Sequence, residues 1–232
     1  MTGTIALVGS GEFLPPIRPL DQKLLEHIQE TPRVVVLPTA SAPDGTGVPE
    51  RWARMGVEHF TALGAQVEPA MLLTREDAEK PAIVEQIAQA NFVYFSGGKP
   101  RYLLETLQGT AAWAAVETLY ARGGVVAGCS AGAIVMGAAI RFPRSHQTAN
   151  ALNLAPGLVI IPHFDEIPKL MRAAFNHTNP HTLVGVDGST ALVGHANRWS
   201  VYGTGGVTVF EEKRQVRYLE GEEVRLPSPP HS

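Results

Sequence analysis

The sequence predicts an α/β protein with three layers, in which helices cover both faces of a mostly parallel central sheet. Short apolar runs rich in β-branched residues alternate with segments of helical periodicity, and several runs end in glycine-bearing turns. Closely spaced strand-like runs in the last third of the chain predict antiparallel additions. At 232 residues the chain suits one large domain, so we expect residues 1–232 to form it, with 226–232 as a frayed tail.

Composition and charge limit the classes of partner. The chain is 44% hydrophobic and 18% charged, with a formal net charge of −3 and no basic cluster, so neither nucleic acid nor an anionic membrane is an expected partner. The start MTGTIALVG lacks the basic region of a signal peptide, and one cysteine cannot form an internal disulfide. We therefore expect a cytoplasmic protein without metal or cofactor, and the sequence allows a homodimer or a higher homo-oligomer.

The first half of the chain alternates strands with helices. Apolar runs predict strands at Thr4–Gly9, Arg33–Pro38, Gln66–Leu73, Phe92–Phe95 and Val125–Ala127. Helical spacing predicts helices at Asp21–Glu30, Pro49–Leu63, Lys80–Ala90, Arg101–Leu107 and Ala111–Arg122. This alternation predicts a doubly wound sheet, which binds ligands beyond the carboxyl ends of its strands.

The stretch GGVVAGCSAGAIVMGAAI at 123–140 puts a serine at a turn from strand to helix. Gly128 and Gly132 flank Ser130 in the pattern G-x-S-x-G, whose small residues let a strained turn lift the hydroxyl clear of the sheet. Ser130 is therefore a candidate nucleophile; the alternative is an ordinary small-residue turn. Cys129 falls one position too early for that role and is interpreted as a small buried hydrophobic residue.

A second glycine turn follows the strand at 92–95. If the two strands that end at these turns are neighbours, the amides of Gly98 and Ala131 would converge beside Ser130 as an oxyanion hole, with Gly97 at the substrate. A plain turn from strand to helix is the alternative interpretation of Gly97 and Gly98.

After residue 140 the pattern changes. Phe142–Ala155 is polar and irregular, which predicts a loop near the site. Later segments predict a helix at Glu166–Phe175 and strands at Gly157–Pro162, Leu183–Asp187, Ala191–Val193 and Ser200–Phe210. Hairpin signals occur at Asp187-Gly188 and at Leu219-Glu220-Gly221.

A serine nucleophile needs a base and an acid that orients it. His163 directly follows a buried-type strand and is the candidate base, while His146 in the polar loop is a candidate for lining the pocket. Asp187, also at a strand end, is the best placed carboxylate, with Asp165 and Glu166 as alternatives. His177 and His181 are separated by Asn179-Pro180, which argues against a metal pair.

Four segments together resemble one family of serine peptidases, which includes aspartyl dipeptidase (peptidase E) and cyanophycinase and has a fold like that of class I glutamine amidotransferases. They are FSGG at 95–98, GCSAGA at 128–133, PHF at 162–164 and GVDGSTALV at 185–193, and the resemblance runs from the first strand to about Val193. It implies Ser130 as nucleophile, His163 as base, and Gly98 with Ala131 as oxyanion donors.

The chain departs from that family at two places. Family members commonly have a glutamate, the usual acid of the triad, where this chain has Gly188. Either Asp187 takes its place, or Asp165 or Glu166 does, or the site is a dyad. Cyanophycinases also carry an arginine-rich stretch after the His-Phe pair, of which only Arg172 remains here, as a candidate for binding a substrate carboxylate.

The resemblance implies a serine exopeptidase that hydrolyses short peptides in the manner of a dipeptidase. Two alternatives stay open at this point. One is an amidohydrolase or esterase with the same site, and the other is a catalytically silent binding protein that lost its acid at Gly188.

Overall fold

The computed structural model describes residues 3–141, 148–172, 175, 181–196, 198–211 and 214–227. The helices are α1 (Arg18–Leu25), α2 (Val48–Ala62), α3 (Pro81–Gln89), α4 (Pro100–Leu107), α5 (Ala111–Ala121), α6 (Ala131–Met136) and α7 (Lys169–Arg172). The strands are β1 (Thr4–Val8), β2 (Arg33–Leu37), β3 (Gln66–Pro69), β4 (Phe92–Phe95), β5 (Val125–Cys129), β6 (Ala139–Arg141), β7 (Thr148–Asn150), β8 (Leu158–Ile161), β9 (Thr182–Val186), β10 (Thr190–His195), β11 (Arg198–Gly203), β12 (Gly206–Phe210) and β13 (Gln215–Leu219).

In the described part of the chain, the strands form two main sheets and one short pair. The first sheet has seven strands in the order β11-β10-β1-β5-β4-β2-β3. The five strands from β1 to β3 in this order are mutually parallel, whereas β10 pairs antiparallel with both β1 and β11. The second has the order β13-β12-β9-β8, with β8 and β9 parallel. The predicted α/β class with a mostly parallel central sheet is confirmed.

Strand β1 shows why the central sheet is covered on both faces. Ile5 and Leu7 point into one apolar cluster, and Ala6 and Val8 point into another, because side chains alternate along a strand. Helices α1 and α2 supply the second cluster with residues such as Phe60, whereas α3 to α6 pack on the first. The continuous apolar runs of the parallel strands are therefore buried from both sides, as the sequence predicts.

Two predictions about the C-terminal third are wrong. The predicted strand Ser200–Phe210 is broken after Gly203, whose φ of 112° turns the chain, so that β11 joins the seven-stranded sheet and β12 the four-stranded one. Strands β9 and β10 also enter different sheets, so Asp187-Gly188 is a crossing between sheets rather than a hairpin turn.

The predicted helix Glu166–Phe175 is also wrong in extent. Phe164–Glu166 forms a single 3₁₀ turn, and Ile167 is extended (φ −75°, ψ 126°) because the next residue is Pro168, which disfavours a helical conformation before it. The described helix begins only at Lys169. Glu166 consequently lies on the turn that directly follows His163.

Two further expectations concern the frayed tail at 226–232 and the absence of a membrane partner. Leu226 still packs against the core, so this residue of the predicted tail is ordered against the fold, and residues 228–232 lie outside the described part. Among the helices of the described residues, none has the length and apolar character needed to cross a bilayer.

Candidate active site

Ser130 occupies a strained turn between β5 and α6. Its φ of 50° and ψ of −102° are rare for a residue with a side chain and are maintained by the fully buried strand β5 on one side and α6 on the other. A Cβ on Gly128 would come within 2.6 Å of the Gly132 carbonyl carbon, and a Cβ on Gly132 within 2.7 Å of the Phe95 carbonyl oxygen. Only glycine fits both flanking positions, as the G-x-S-x-G pattern predicts.

His163 lies beside this turn, although it comes from the second sheet. It follows β8, has a left-handed backbone (φ 52°), and its Nε2 is 3.1 Å from the Ser130 hydroxyl oxygen. Its Nδ1 is 3.0 Å from Oε1 of Glu166. Because a carboxylate can only accept, Nδ1 carries the hydrogen and Nε2 is left to accept the hydroxyl proton.

Asp187 does not pair with His163, contrary to the sequence-based expectation. It is buried, and its Oδ2 accepts hydrogen bonds from the Gly206 amide (3.0 Å) and from the Arg217 guanidinium. The reason is that β9, which ends just before Asp187, pairs with β12 and so directs this carboxylate toward the start of that strand. The geometry therefore favours Glu166 over Asp187 as the acid next to the imidazole.

Asp165, the other alternative, accepts a hydrogen bond from a backbone amide instead of contacting the imidazole. Its Oδ1 accepts a hydrogen bond from the amide of Gly188 at 2.8 Å, which ties the turn after His163 to the crossing between the two sheets. Glu166 alone among the three candidate carboxylates contacts the imidazole within the described residues.

Arg172, expected to bind a substrate carboxylate, instead holds the turn that carries His163. Its Nε donates to the Ile167 carbonyl (2.6 Å), a terminal nitrogen donates to the Asp165 carbonyl (2.7 Å), and the guanidinium lies 5.2 Å from the centre of the Phe164 ring. These contacts use the planar donor geometry of arginine and give Arg172 a structural role in the turn, and its role toward a substrate carboxylate stays a prediction. His146, the other candidate for the pocket, lies outside the described residues.

The glycine turn after β4 lies next to Ser130, as expected from neighbouring strands. Strands β4 and β5 pair directly, and a Cβ on Gly97 would be 3.5 Å from the Ser130 Cβ. The Gly97 amide donates to Oε1 of Glu12 at 2.8 Å, so it is not free for a substrate. Gly98 and Ala131, in contrast, donate their amides to no group within the described residues, and their oxyanion role stays a prediction.

Sequence reasoning missed the part played by Glu12 and left Glu166 as one of three alternatives. Glu166 has a usable signal, since a residue three positions after a histidine can reach back to it when the intervening residues form a tight turn. Glu12 follows β1 at the same carboxyl edge as Ser130, and only the parallel sheet brings the two together. Within the described ranges, no three His, Cys, Asp or Glu side chains are grouped to hold a metal ion.

A serine at a strained turn, an imidazole at its hydroxyl and a carboxylate behind the imidazole together define the site of a serine hydrolase. The model of peptidase family S51 matches residues 5–201. The chain therefore belongs to peptidase family S51 and is a serine-type peptidase, which confirms the family predicted from its motifs.

The solved structures that are similar to this chain include two that align with nearly its whole length. A peptidase from an acI-B1 Actinobacterium is 31% identical, with a TM-score of 0.89, covering 97% of this chain and 98% of the other. A protein from Listeria monocytogenes EGD-e, described as a candidate peptidase E, is 18% identical, with a TM-score of 0.60, covering 94% of this chain and 99% of the other. The second likeness shows the shared fold. Among curated proteins, no relative matches the chain.

Proposed function

We propose that this peptidase hydrolyses short peptides as an exopeptidase of the dipeptidase type, with Ser130, His163 and Glu166 as its catalytic triad. The observation that carries the proposal is the continuous chain of contacts from the Ser130 hydroxyl through both ring nitrogens of His163 to Glu166. Family membership and the likeness to the 31% identical peptidase support a peptide substrate. The proposed partner is therefore a small peptide.

In the proposed reaction, His163 transfers one proton during acylation of Ser130 and one during hydrolysis of the acyl-enzyme. Nε2 takes the proton of the Ser130 hydroxyl while the Ser130 oxygen attacks the scissile carbonyl. The imidazolium then gives that proton to the leaving amine. Water next attacks the acyl-enzyme, its proton passes to Nε2 and then to the Ser130 oxygen, and the carboxylic acid leaves. The negatively charged Glu166 stabilises the imidazolium and holds Nδ1–H toward itself.

The proposed oxyanion donors are the amides of Gly98 and Ala131. Both amides lack an internal acceptor in the described part of the chain, and they belong to the two turns that meet at Ser130. A donor of this kind is worth about 3–4 kcal/mol to the rate of acyl transfer.

The test is fluorophosphonate labelling followed by a peptide panel. The proposal expects the wild-type protein to be labelled at Ser130, the Ser130→Ala variant to be unlabelled, and dipeptides to be hydrolysed faster than longer peptides. Acetylating the amino end or amidating the carboxyl end of the same peptide then tells which terminus the site requires. An unlabelled wild type contradicts the serine mechanism, and cleavage of esters but not peptides contradicts the substrate class.

A further inference from the structure

Glu12 is a buried carboxylate in contact with the residue that precedes Ser130, and the proposed reaction gives it no step. The residue is 7% exposed, although it lies in a loop after β1. Its Oε1 accepts the Gly97 amide at 2.8 Å, and its Oε2 accepts the Cys129 thiol at 3.0 Å. One side chain thus joins the turn after β4 to the last residue of β5, which precedes Ser130.

The thiol in this arrangement is a donor and not a thiolate. Burial, with a further contribution from the negative charge of Glu12, raises the pKa of the Cys129 thiol well above its usual value. Cys129 therefore stays protonated at neutral pH and donates to Glu12, which agrees with a carboxylate that only accepts. Both oxygens of Glu12 are used to hold backbone or side-chain donors of the two turns.

The amides of the glycine turn are occupied in a pattern that leaves one free. Within the described residues, the Ser96 amide donates to the Leu37 carbonyl (3.1 Å), Gly97 donates to Glu12, and Lys99 donates to the Ala40 carbonyl (2.7 Å). Residue 100 is a proline and has no amide hydrogen. Among the described residues 96–99 of this turn, only the Gly98 amide has no acceptor, and it lies between the anchored amides of Gly97 and Lys99.

A pair of glycines has too much conformational freedom to orient that amide unaided. Its direction is determined by the hydrogen bonds on either side, of which the Gly97 contact is the one made by a side chain. We propose that Glu12 is a positioning residue, which holds Gly97 so that the free amide of Gly98 faces the oxygen of the reacting carbonyl. This inference rests on the proposed function, because it assumes that Ser130 attacks a carbonyl or an equivalent centre.

The electrostatics favour positioning over a direct role for the charge. A carboxylate near a developing oxyanion raises the energy of that oxyanion, so the charge of Glu12 does not by itself accelerate the reaction. What a carboxylate offers here is an acceptor that reaches the Gly97 amide and the Cys129 thiol at once. An uncharged acceptor of the same length can replace it at the Gly97 amide.

The test measures the rate of fluorophosphonate labelling at Ser130 in two matched variants. In this reaction the Ser130 oxygen bonds to phosphorus, fluoride leaves, the hydroxyl proton passes to His163, and the phosphoryl oxygen takes the oxyanion position. Glu12→Gln has the same length and keeps an acceptor for Gly97, so it should retain at least about a third of the wild-type rate. Glu12→Asp keeps the charge but is one methylene shorter, so it should lose about tenfold or more.

Cys129→Ala is the control, because it removes the other partner of Glu12 and leaves the Gly97 contact intact; its labelling rate should stay within about threefold of wild type. Equal rates for Glu12→Asp and wild type overturn the inference, as does a loss in Glu12→Gln as large as in Glu12→Asp. If Glu12→Asp does not fold, Gly97→Ala replaces it, because its Cβ would meet Oε1 of Glu12 at 2.7 Å. Unchanged labelling in that variant overturns the inference as well.

The result separates this inference from the proposed function. A wild-type protein that is not labelled contradicts the serine mechanism itself, and the role of Glu12 falls with it. A labelled wild type with the wrong order of variants contradicts only the positioning role.

Discussion

At the scale of single residues, Glu166, the carboxylate in contact with Nδ1 of His163, is more exposed to solvent than the imidazole itself. The side chain of Glu166 is 64% exposed and that of His163 is 42% exposed. Solvent screens such a pair, so its contribution is smaller than that of a buried aspartate in the same role. We therefore expect Glu166 to contribute to the rate without being indispensable to it.

Glu166→Gln should lower kcat/KM by about 10-fold to 100-fold, because the variant keeps the side-chain length but no longer stabilises the imidazolium by charge. Asp165→Asn is the matched control from the same turn, since an amide oxygen can still accept from Gly188, and its rate should stay within about threefold of wild type. Steady-state hydrolysis of a dipeptide measures both. A larger loss in Asp187→Asn than in Glu166→Gln would return the role of the acid to Asp187.

Gly98→Ala should lower kcat by about 100-fold to 1000-fold with little change in KM, as expected for a lost oxyanion donor. The new Cβ would lie 2.3 Å from the Ala40 carbonyl oxygen, and the φ of 145° is strained for any residue with a side chain. Gly64→Ala is the control, because Gly64 also has a positive φ (87°) but no atom within 4 Å of the added Cβ. It should keep its kcat, and an equal loss there would show that backbone strain alone explains the effect.

At the scale of elements, the turn between β8 and α7 positions His163. Phe164 is buried against β9, where the absence of a side chain at Gly185 makes room for the ring. Arg172 donates hydrogen bonds to the carbonyls of Asp165 and Ile167 in the same turn. The turn that carries the left-handed His163 is thus held by the packing of Phe164 and by the hydrogen bonds of Arg172.

Arg172→Met should lower kcat by about tenfold, because the turn loses two hydrogen bonds while most of the packing of the long side chain remains. The KM values for peptides with and without an acidic side chain should change alike. This comparison also tests the sequence-based expectation for Arg172. A KM that rises only for acidic peptides would assign the guanidinium to substrate binding.

The segment before α3 makes a prediction about stability and pH. Asp77 is bonded by Lys80 (2.6 Å) and by the amides of Thr74 (2.8 Å) and Leu73 (2.9 Å), and these contacts lower its pKa from 3.8 to about 2. A carboxylate whose pKa is lower in the folded than in the unfolded protein stabilises the fold at pH values above its unfolded pKa. That contribution disappears as the pH falls through the folded pKa of about 2.

Asp77→Asn should therefore reduce the free energy of unfolding by about 1 kcal/mol near neutral pH, allowing for solvent screening. The difference from wild type should shrink below about pH 4 and vanish near pH 2. Urea unfolding at a series of pH values measures it. A difference that stays constant down to pH 2 contradicts the assignment.

At the scale of the whole molecule, the site is assembled from two sheets. Ser130 follows a strand of the seven-stranded sheet, and His163 follows a strand of the four-stranded one. One apolar cluster contains side chains of both sheets, among them Leu7 and Leu192 from the first and Val184 and Val207 from the second. This shared core is the physical basis for the prediction of a single domain.

Urea should accordingly unfold the chain in one cooperative transition. The near-ultraviolet signal of the tryptophans, two of which (Trp113 and Trp199) pack in the shared core, and the labelling of Ser130 should be lost at the same urea concentration. If labelling disappears first while the tryptophan signal persists, the four-stranded sheet separates as an independent unit, and the single-domain prediction is wrong.

The sequence by itself determined the parallel strands and the two reactive side chains that follow them. Continuous apolar runs rich in β-branched residues, such as Val34–Leu37, are typical of a strand that is buried on both faces. The small residues around Ser130 favour a tight turn from strand to helix. Each of these outcomes depends on neighbours along the chain. Ser130 and His163 could therefore be identified as candidates without coordinates, whereas their contact depends on how the two sheets pack against each other.

Tertiary structure decided which carboxylates lie at the site, although the contact of Glu166 with His163 is local in sequence. Pairing of β9 with β12 drew Asp187 toward Gly206 and Arg217, while Pro168 kept the preceding residues in a turn that brings Glu166 back to His163. Glu12 reaches the site only because β1 lies beside β5 in the sheet. The partners of Asp187 and Glu12 depend on contacts between residues far apart in sequence, because a carboxylate on a loop has no periodicity that reveals its direction.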